Sequence, residues 1–224
     1  MAIKPILFNT EMVRAILDGR KTCTRRVAKN VPDHTHRIEP IYENGRLQFN
    51  CFYSAYAPKL DIYADFCMPC LPPYQQGDIL YVRETWSHPI VPSDKNRYVY
   101  RADEVAEDGF KNEAHIWHPS IHMPKEAARI WLKVTDVRVE RLQDMTNDDA
   151  LKEGTEGVRC DHVGSGAYGC TDCMNTGWLE PPIVEFAQIW DNTIKKSALD
   201  RYGWNANPWV WVIEFERCEK PKEE

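Results

Sequence analysis

The sequence has no apolar run that approaches the roughly 20 residues needed to cross a bilayer. Its start, MAIKPILFNTEMVRA, has no apolar stretch following a basic segment. Neither a membrane span nor a secretory leader is expected, and the cytoplasm is the expected compartment. Positive charge is outnumbered, with 28 Lys and Arg against 34 Asp and Glu. With a formal net charge of −6, the chain is poorly suited to coating nucleic acid nonspecifically, because that mode needs many cations on phosphates. A local basic site is still compatible with that balance. No internal repeat or low-complexity segment is visible.

What is present suits one elaborated domain. A chain of 224 residues with 43% hydrophobic residues is long enough to bury a sizeable core. The 8 cysteines, without a leader, read as reduced thiols or metal ligands rather than as a disulfide scaffold.

Lys4 to Phe8 reads as a strand, and Asn9 or Thr10 can cap the helix that follows. In that helix Met12, Val13, Ile16 and Leu17 recur at helical spacing, and Gly19 sits where a helix stops in the left-handed conformation. The stretch from about 28 to 75, rich in Pro, Asn, Tyr and Asp, predicts an irregular insertion with one hairpin at Arg37 to Phe49. Strands are predicted at Ile79 to Glu84, Arg97 to Arg101 and Ile130 to Leu142. Thr146 caps a short helix that ends near Glu153, Pro182 to Ser197 is amphipathic, and Trp209 to Phe215 alternates as a closing strand. The fold class is therefore α+β, a small barrel-like set of strands with flanking helices. A second irregular insertion spans about 155–181.

Gly19 to Arg26 reads GRKTCTRR and crowds Arg20, Lys21, Arg25 and Arg26 together after the first helix. A basic turn in that place is either solvated or complements the helix dipole. Lys21 and Thr24 are three residues apart, which brings them together on a tight turn but sets them on opposite faces of a strand. A shared active site therefore requires a turn.

Three blocks in order, the helix with GRKT-x-TRR, GDILYVRETW at Gly77 to Trp86 and VTDVRVERLQDMTNDDALKEG, resemble the ASCH family. WHPSIHMPKEAARI and NPWVWVIEF are similar to its longer phage and prophage members. The resemblance covers most of the chain outside the insertions. It implies a single PUA-like β-barrel domain over residues 1–224, associated with RNA and modified-nucleotide recognition. Small bacterial members hydrolyse the N4-acetyl amide of acetylcytidine with a lysine, a threonine and a glutamate. Their motif falls on Lys21 and Thr24, and a looser match falls on Glu153.

Amide hydrolysis needs an activated nucleophile, a proton donor for the leaving amine and stabilisation of an oxyanion. In this scheme Thr24 is nucleophile or water positioner, Lys21 its base and Glu153 a proton shuttle, while Arg20 and Arg26 contact substrate or phosphate. Arg83, Glu84 and Trp86 can hydrogen-bond and stack a base, and His122 is a ligand-proximal candidate, as is Arg129. Their alternative roles are structural: Glu84 paired with Arg20 or Arg26, and Trp86 closing a core. Two further activities stay open, a noncatalytic RNA-binding module and a ribonuclease, although no paired histidines stand out for the latter.

In CDHVGSGAYGCTDCMNTGW, Cys160, His162, Cys170 and Cys173 have zinc-knuckle character, because metal-bound thiolates need tight glycine turns. Cys67 and Cys70 could instead join Cys170 and Cys173, with Cys51 as a further ligand. Closed four-ligand zinc is structural rather than catalytic. Reduced thiols in a surface loop are the competing reading, and Cys23 and Cys218 read as ordinary thiols.

Overall fold

The computed structural model describes residues 1–59, 61–88, 98–103, 116–161, 173 and 176–221. It is an α+β protein dominated by strands. In chain order the elements begin with β1 (Ile3–Leu7), α1 (Thr10–Leu17), β2 (Cys23–Val27), β3 (Thr35–Glu43), β4 (Arg46–Ala57) and β5 (Ile62–Cys70). There follow β6 (Ile79–Arg83), β7 (Trp86–Ser87), β8 (Val99–Tyr100), β9 (Trp131–Arg141) and α2 (Asn147–Lys152). The remainder are β10 (Val158–Arg159), β11 (Trp178–Glu180), α3 (Pro182–Thr193), α4 (Leu199–Tyr202) and β12 (Trp209–Cys218). No helix among the described residues is long and apolar enough to cross a membrane.

Two compact units divide the chain. The first comprises residues 1–22, 76–135 and 215–224, and the second comprises 23–75 and 136–214. In the first, β1 and β6 pair in parallel from Ile3↔Ile79 to Leu7↔Arg83, and β6 runs antiparallel to β9. A parallel pair needs a long crossover, and here it runs from Phe8 to Asp78. Helix α1 starts where Asn9 accepts the backbone N–H of Met12. Val13, Ala15 and Ile16 are buried, and the chain leaves through Gly19 at φ 78°, a left-handed conformation that glycine adopts without strain. Ile79, Trp86, Met123, Ala127, Ala128 and Trp131 form one hydrophobic cluster of this unit.

In the second unit β2 pairs antiparallel with β12, from Cys23↔Glu214 to Val27↔Val210. Val210, Trp211, Val212 and Ile213 are all buried, so β12 is covered on both faces. Leu142, Met145, Ala150, Phe186, Trp190, Val210 and Val212 form the core to which α2 and α3 contribute.

The stretch at 28–75 departs from the irregular insertion expected. It contains a three-stranded antiparallel sheet in the order β3-β4-β5. The β3–β4 turn is Asn44-Gly45, with φ of 52° and 73°, the pair of positive φ values that a two-residue hairpin turn demands. Of the prolines that suggested irregularity, Pro40 and Pro69 lie in β3 and β5. Those are the two edge strands, where a missing N–H breaks no ladder. Central β4 has no proline, and its Leu47, Phe49 and Cys51 are buried on one face.

Candidate functional site

Within GRKTCTRR, residues Cys23 to Val27 are a strand rather than a turn. Alternation puts Cys23, Arg25 and Val27 on one face of β2 and Thr24 and Arg26 on the other. Thr24 is 3% exposed and Arg25 is 4% exposed, so β2 is covered on both faces.

Arg25 is the centre of an ionic cluster in the second unit. Its side chain is 0% exposed, and its guanidinium lies 3.4 Å from Glu153, 3.4 Å from Glu140 and 3.9 Å from Asp149. Its Nη1 also approaches the Cys23 sulfur at 3.8 Å. The Nε has no partner among the described residues. Three carboxylates at these separations neutralise the guanidinium more by field than by short hydrogen bonds.

Helix α2 brings two of the three carboxylates. Thr146 caps it in a capping box: its hydroxyl accepts from the Asp149 backbone N–H, and the Asp149 carboxylate accepts from the Thr146 backbone N–H. Burial works against ionisation of Asp149, but those Thr146 bonds and the Arg25 charge hold its pKa below the usual value. Glu153 is four residues further on, hence on the same helix face, and closes the helix as its C-cap. Its side chain is 4% exposed.

Glu140, from β9, is shared with a second cation. Arg138 donates to Glu140 and, at 2.6 Å, to Glu214 of β12. Burial opposes the Arg138 charge, yet these carboxylates hold its pKa above the ordinary arginine value. Arg26, on the other face of β2, has its pKa lowered by burial, against the opposing influence of Tyr74 and Glu153. Tyr74 is in turn pushed up by its own burial, with Arg26 pulling the other way.

The remaining candidates belong to the first unit. Lys21 is 2% exposed; its backbone N–H donates to the Ala15 carbonyl at 2.9 Å. Its ammonium sits 5.6 Å from the centroid of the Phe8 ring, within cation–π range. Arg20 donates to Asp18 at 3.0 Å on the surface. Arg83 donates to the carbonyls of Met123 and Ile121, so it secures the Ile121–Met123 backbone. His122 is exposed on a short 3-10 turn, Ser120–His122.

Glu84 takes neither sequence-suggested partner. It is 1% exposed, and Arg129 donates to its two oxygens at 2.9 and 3.1 Å. Arg129 also donates to Asp103 and lies 4.0 Å from the Tyr100 ring centroid. Burial raises the Glu84 pKa, with the Arg129 bonds and charge pulling it down. Trp86 belongs to the hydrophobic cluster. Its ring centroid is 5.0 Å from those of both His88 and His118 and 5.5 Å from that of Tyr98.

Of the first zinc set, Cys160 and Cys173 are described, whereas His162 and Cys170 lie outside the described residues. Cys51 and Cys70 are buried, hydrogen-bonded thiols, and Cys67 is exposed. Burial pushes both buried thiols up. Among the described residues, no group of three or more His, Cys, Asp or Glu is arranged to hold a metal ion.

No protein-family model, curated protein or solved structure matches this chain. The geometry therefore carries the functional argument.

The structure thus puts Thr24, Arg26 and Glu153 in one unit and Lys21, Arg20, Arg83, Glu84, Trp86 and His122 in the other. Sequence reasoning passed over Glu140 and Arg138, and it gave Arg25 and Asp149 no part in a site. One signal for them was legible: Asp149 and Glu153 stand four apart on a capped helix, an acidic face that needs a cation.

Proposed function

We propose that this chain is an ASCH-type domain of PUA-like architecture that binds a modified nucleoside, or RNA carrying one, and removes the acyl group from an N4-acylated cytosine. The observation that supports the reading is the buried Glu153 carboxylate 3.4 Å from the buried Arg25, with the buried Thr24 beside Arg25 in β2 but on the other face of the strand. Burying charged groups costs stability unless they are paired, and such clusters concentrate where chemistry uses them.

In the proposed reaction water adds to the acyl carbonyl, the carbon–nitrogen bond breaks, the exocyclic amine takes a proton and the carboxylic acid leaves. Thr24 positions the water or attacks first. Glu153, oriented by Arg25, relays the proton to the amine. Arg26 contacts phosphate, while Lys21 enters as base through the family resemblance alone. The strand-rich α+β fold supports the PUA-like assignment at the level of class.

The test is incubation of the purified protein with N4-acetylcytidine, following release of cytidine. Turnover is expected, with loss of at least about 100-fold in Thr24→Val and Glu153→Gln, as for removal of a general acid–base group. A folded protein without turnover, or with full turnover in Thr24→Val, refutes the assignment.

A second reading, noncatalytic binding of RNA or a modified nucleotide, draws on the same ion pair. Glu153 then serves only to neutralise Arg25. Binding of single-stranded RNA with steep salt dependence, unaltered in Thr24→Val, favours it. Structural zinc at Cys160, His162, Cys170 and Cys173 is part of the proposal, and stoichiometric zinc lost in Cys170→Ser is its test.

A further inference from the structure

The second unit contains a cavity of about 130 Å³, with room for several waters. Its walls come from residues 27–35, from Arg141 at the end of β9, from Arg201 and Tyr202 of α4, and from Ala206, Pro208 and Trp209 before and at the start of β12. None of these residues belongs to the Arg25 cluster.

Its charge runs against that of the whole chain. The protein carries −6, but the cavity is lined by Lys29, Arg141 and Arg201 with Asp33 as the sole carboxylate. Three fixed cations against one anion leave two net positive charges. The cations come from three well-separated parts of the chain, so the concentration is a product of the fold.

One wall is preorganised. Arg141 donates to the carbonyls of Asn207 at 3.1 Å and Thr35 at 3.2 Å, and its guanidinium lies 4.3 Å from the Trp209 ring centroid. Trp209 donates its indole N–H to the same Thr35 carbonyl at 3.3 Å, and the Thr35 hydroxyl donates to the Pro32 carbonyl at 2.7 Å. At the rim, His34 has φ of 61°, in the left-handed region that residues other than glycine adopt infrequently. Lys29, His34 and Arg201 are exposed there. Arg201 is steered by Asp33 at 2.8 Å.

We infer that this cavity is a binding site for a phosphate monoester, with Lys29, His34 and Arg201 at the rim receiving the phosphate and the Arg141–Trp209 wall giving the pocket its shape. A monoester carries about −1.5 to −2 charge near neutral pH, which matches the excess charge of the lining. Arg and Lys side chains recognise such oxygens through charge-assisted hydrogen bonds. The volume admits the phosphate and the atoms next to it, with the rest of the ligand outside. Two sources share this chemistry, a free nucleotide and the phosphorylated end of a nucleic-acid strand.

Isothermal titration calorimetry at low salt separates the outcomes, with inorganic phosphate, cytidine 5′-monophosphate, cytidine and a 5′-phosphorylated tetranucleotide as probes. The phosphate-bearing probes are expected to bind, more weakly as salt is raised, and any binding of cytidine, the product of the proposed reaction at the other site, is expected to be unchanged when Lys29 and Arg201 are replaced. The Lys29→Ala/Arg201→Ala variant, which changes only exposed side chains, is expected to weaken binding by about tenfold or more. Tighter binding of the tetranucleotide than of the mononucleotide assigns the site to a strand end, and the reverse assigns it to a free nucleotide. Absence of binding by every phosphate-bearing probe in the millimolar range overturns the inference, as does unchanged affinity in a double variant that melts like the parent. The N4-acetylcytidine assay reads a different site, so a failure there leaves this inference standing.

Discussion

Replacing Arg129 with alanine removes the guanidinium that lies 2.9 and 3.1 Å from the two Glu84 oxygens. It leaves a carboxylate that is 1% exposed without its counter-charge. Breaking a buried pair from one side costs about 3–5 kcal/mol, far more than the net worth of the intact pair. Because the Arg129 side chain is itself 27% exposed, water can enter its place, and about 3 kcal/mol is the expected loss at neutral pH. For a chain of 224 residues, that is a fall of about 6–12 °C in melting temperature.

The loss should also depend on pH with a definite sign. Burial already raises the Glu84 pKa, while Arg129 pulls it down, so in the variant it moves further up. A carboxyl group with a folded pKa above its unfolded value binds its proton more tightly in the native state. Its favourable contribution is then present below the unfolded value of about 4.3 and is lost as pH rises through the folded value. The Arg129→Ala deficit should therefore be small near pH 4.5 and full by pH 8, in urea melts of variant and parent taken at both. Adding Glu84→Gln should flatten the profile. A deficit that is the same at both pH values, or larger in acid, would refute the argument that desolvation of Glu84 dominates.

Arg25→Met should cost about 3–5 kcal/mol in urea melts, because Glu153, Glu140 and Asp149 lose their shared cation; a neutral result would mean that water already neutralises them. A thiol reagent at pH 8 should label exposed Cys67 quickly and should reach Cys51 and Cys70 only on unfolding, since burial pushes both thiols up; equal rates would refute that. Burial pushes the Tyr100 phenol up to about 12, against the pull of Arg129, and its hydroxyl donates to the Ala127 carbonyl at 2.6 Å. The phenol's contribution to stability is therefore present below about pH 10 and lost as pH rises towards its folded value. Tyr100→Phe should flatten alkaline melts over that window, and an unchanged slope would count against it.

Those predictions rest on partners that lie far apart in the chain. What the sequence by itself determined is local. Helix α1 was legible because Asn9 caps it and Val13 and Ile16 repeat at its period, and α2 because Thr146 caps it. The strands β6, β9 and β12 announced themselves by their alternation. Of the sheet of β3, β4 and β5, the β3–β4 hairpin was legible at Arg37 to Phe49, whereas β5 was masked in a stretch whose Pro69 is harmless only on an edge strand, and which strands are edges is a property of the assembled sheet.

Tertiary structure alone decided the ionic partners. Arg25 meets Glu153 across 128 residues, and Glu84 meets Arg129 across 45. A charged side chain in the sequence shows the need for a partner but not its identity, because pairing depends on which groups folding removes from water together. The sequence drew attention to Lys21 and Arg26 in the basic segment, whereas the fold put Arg25 at the centre of the carboxylates by turning its face of β2 inward. The cavity between residues 27–35 and Arg201 had no sequence signature for the same reason, since its cations converge only when the chain closes on itself.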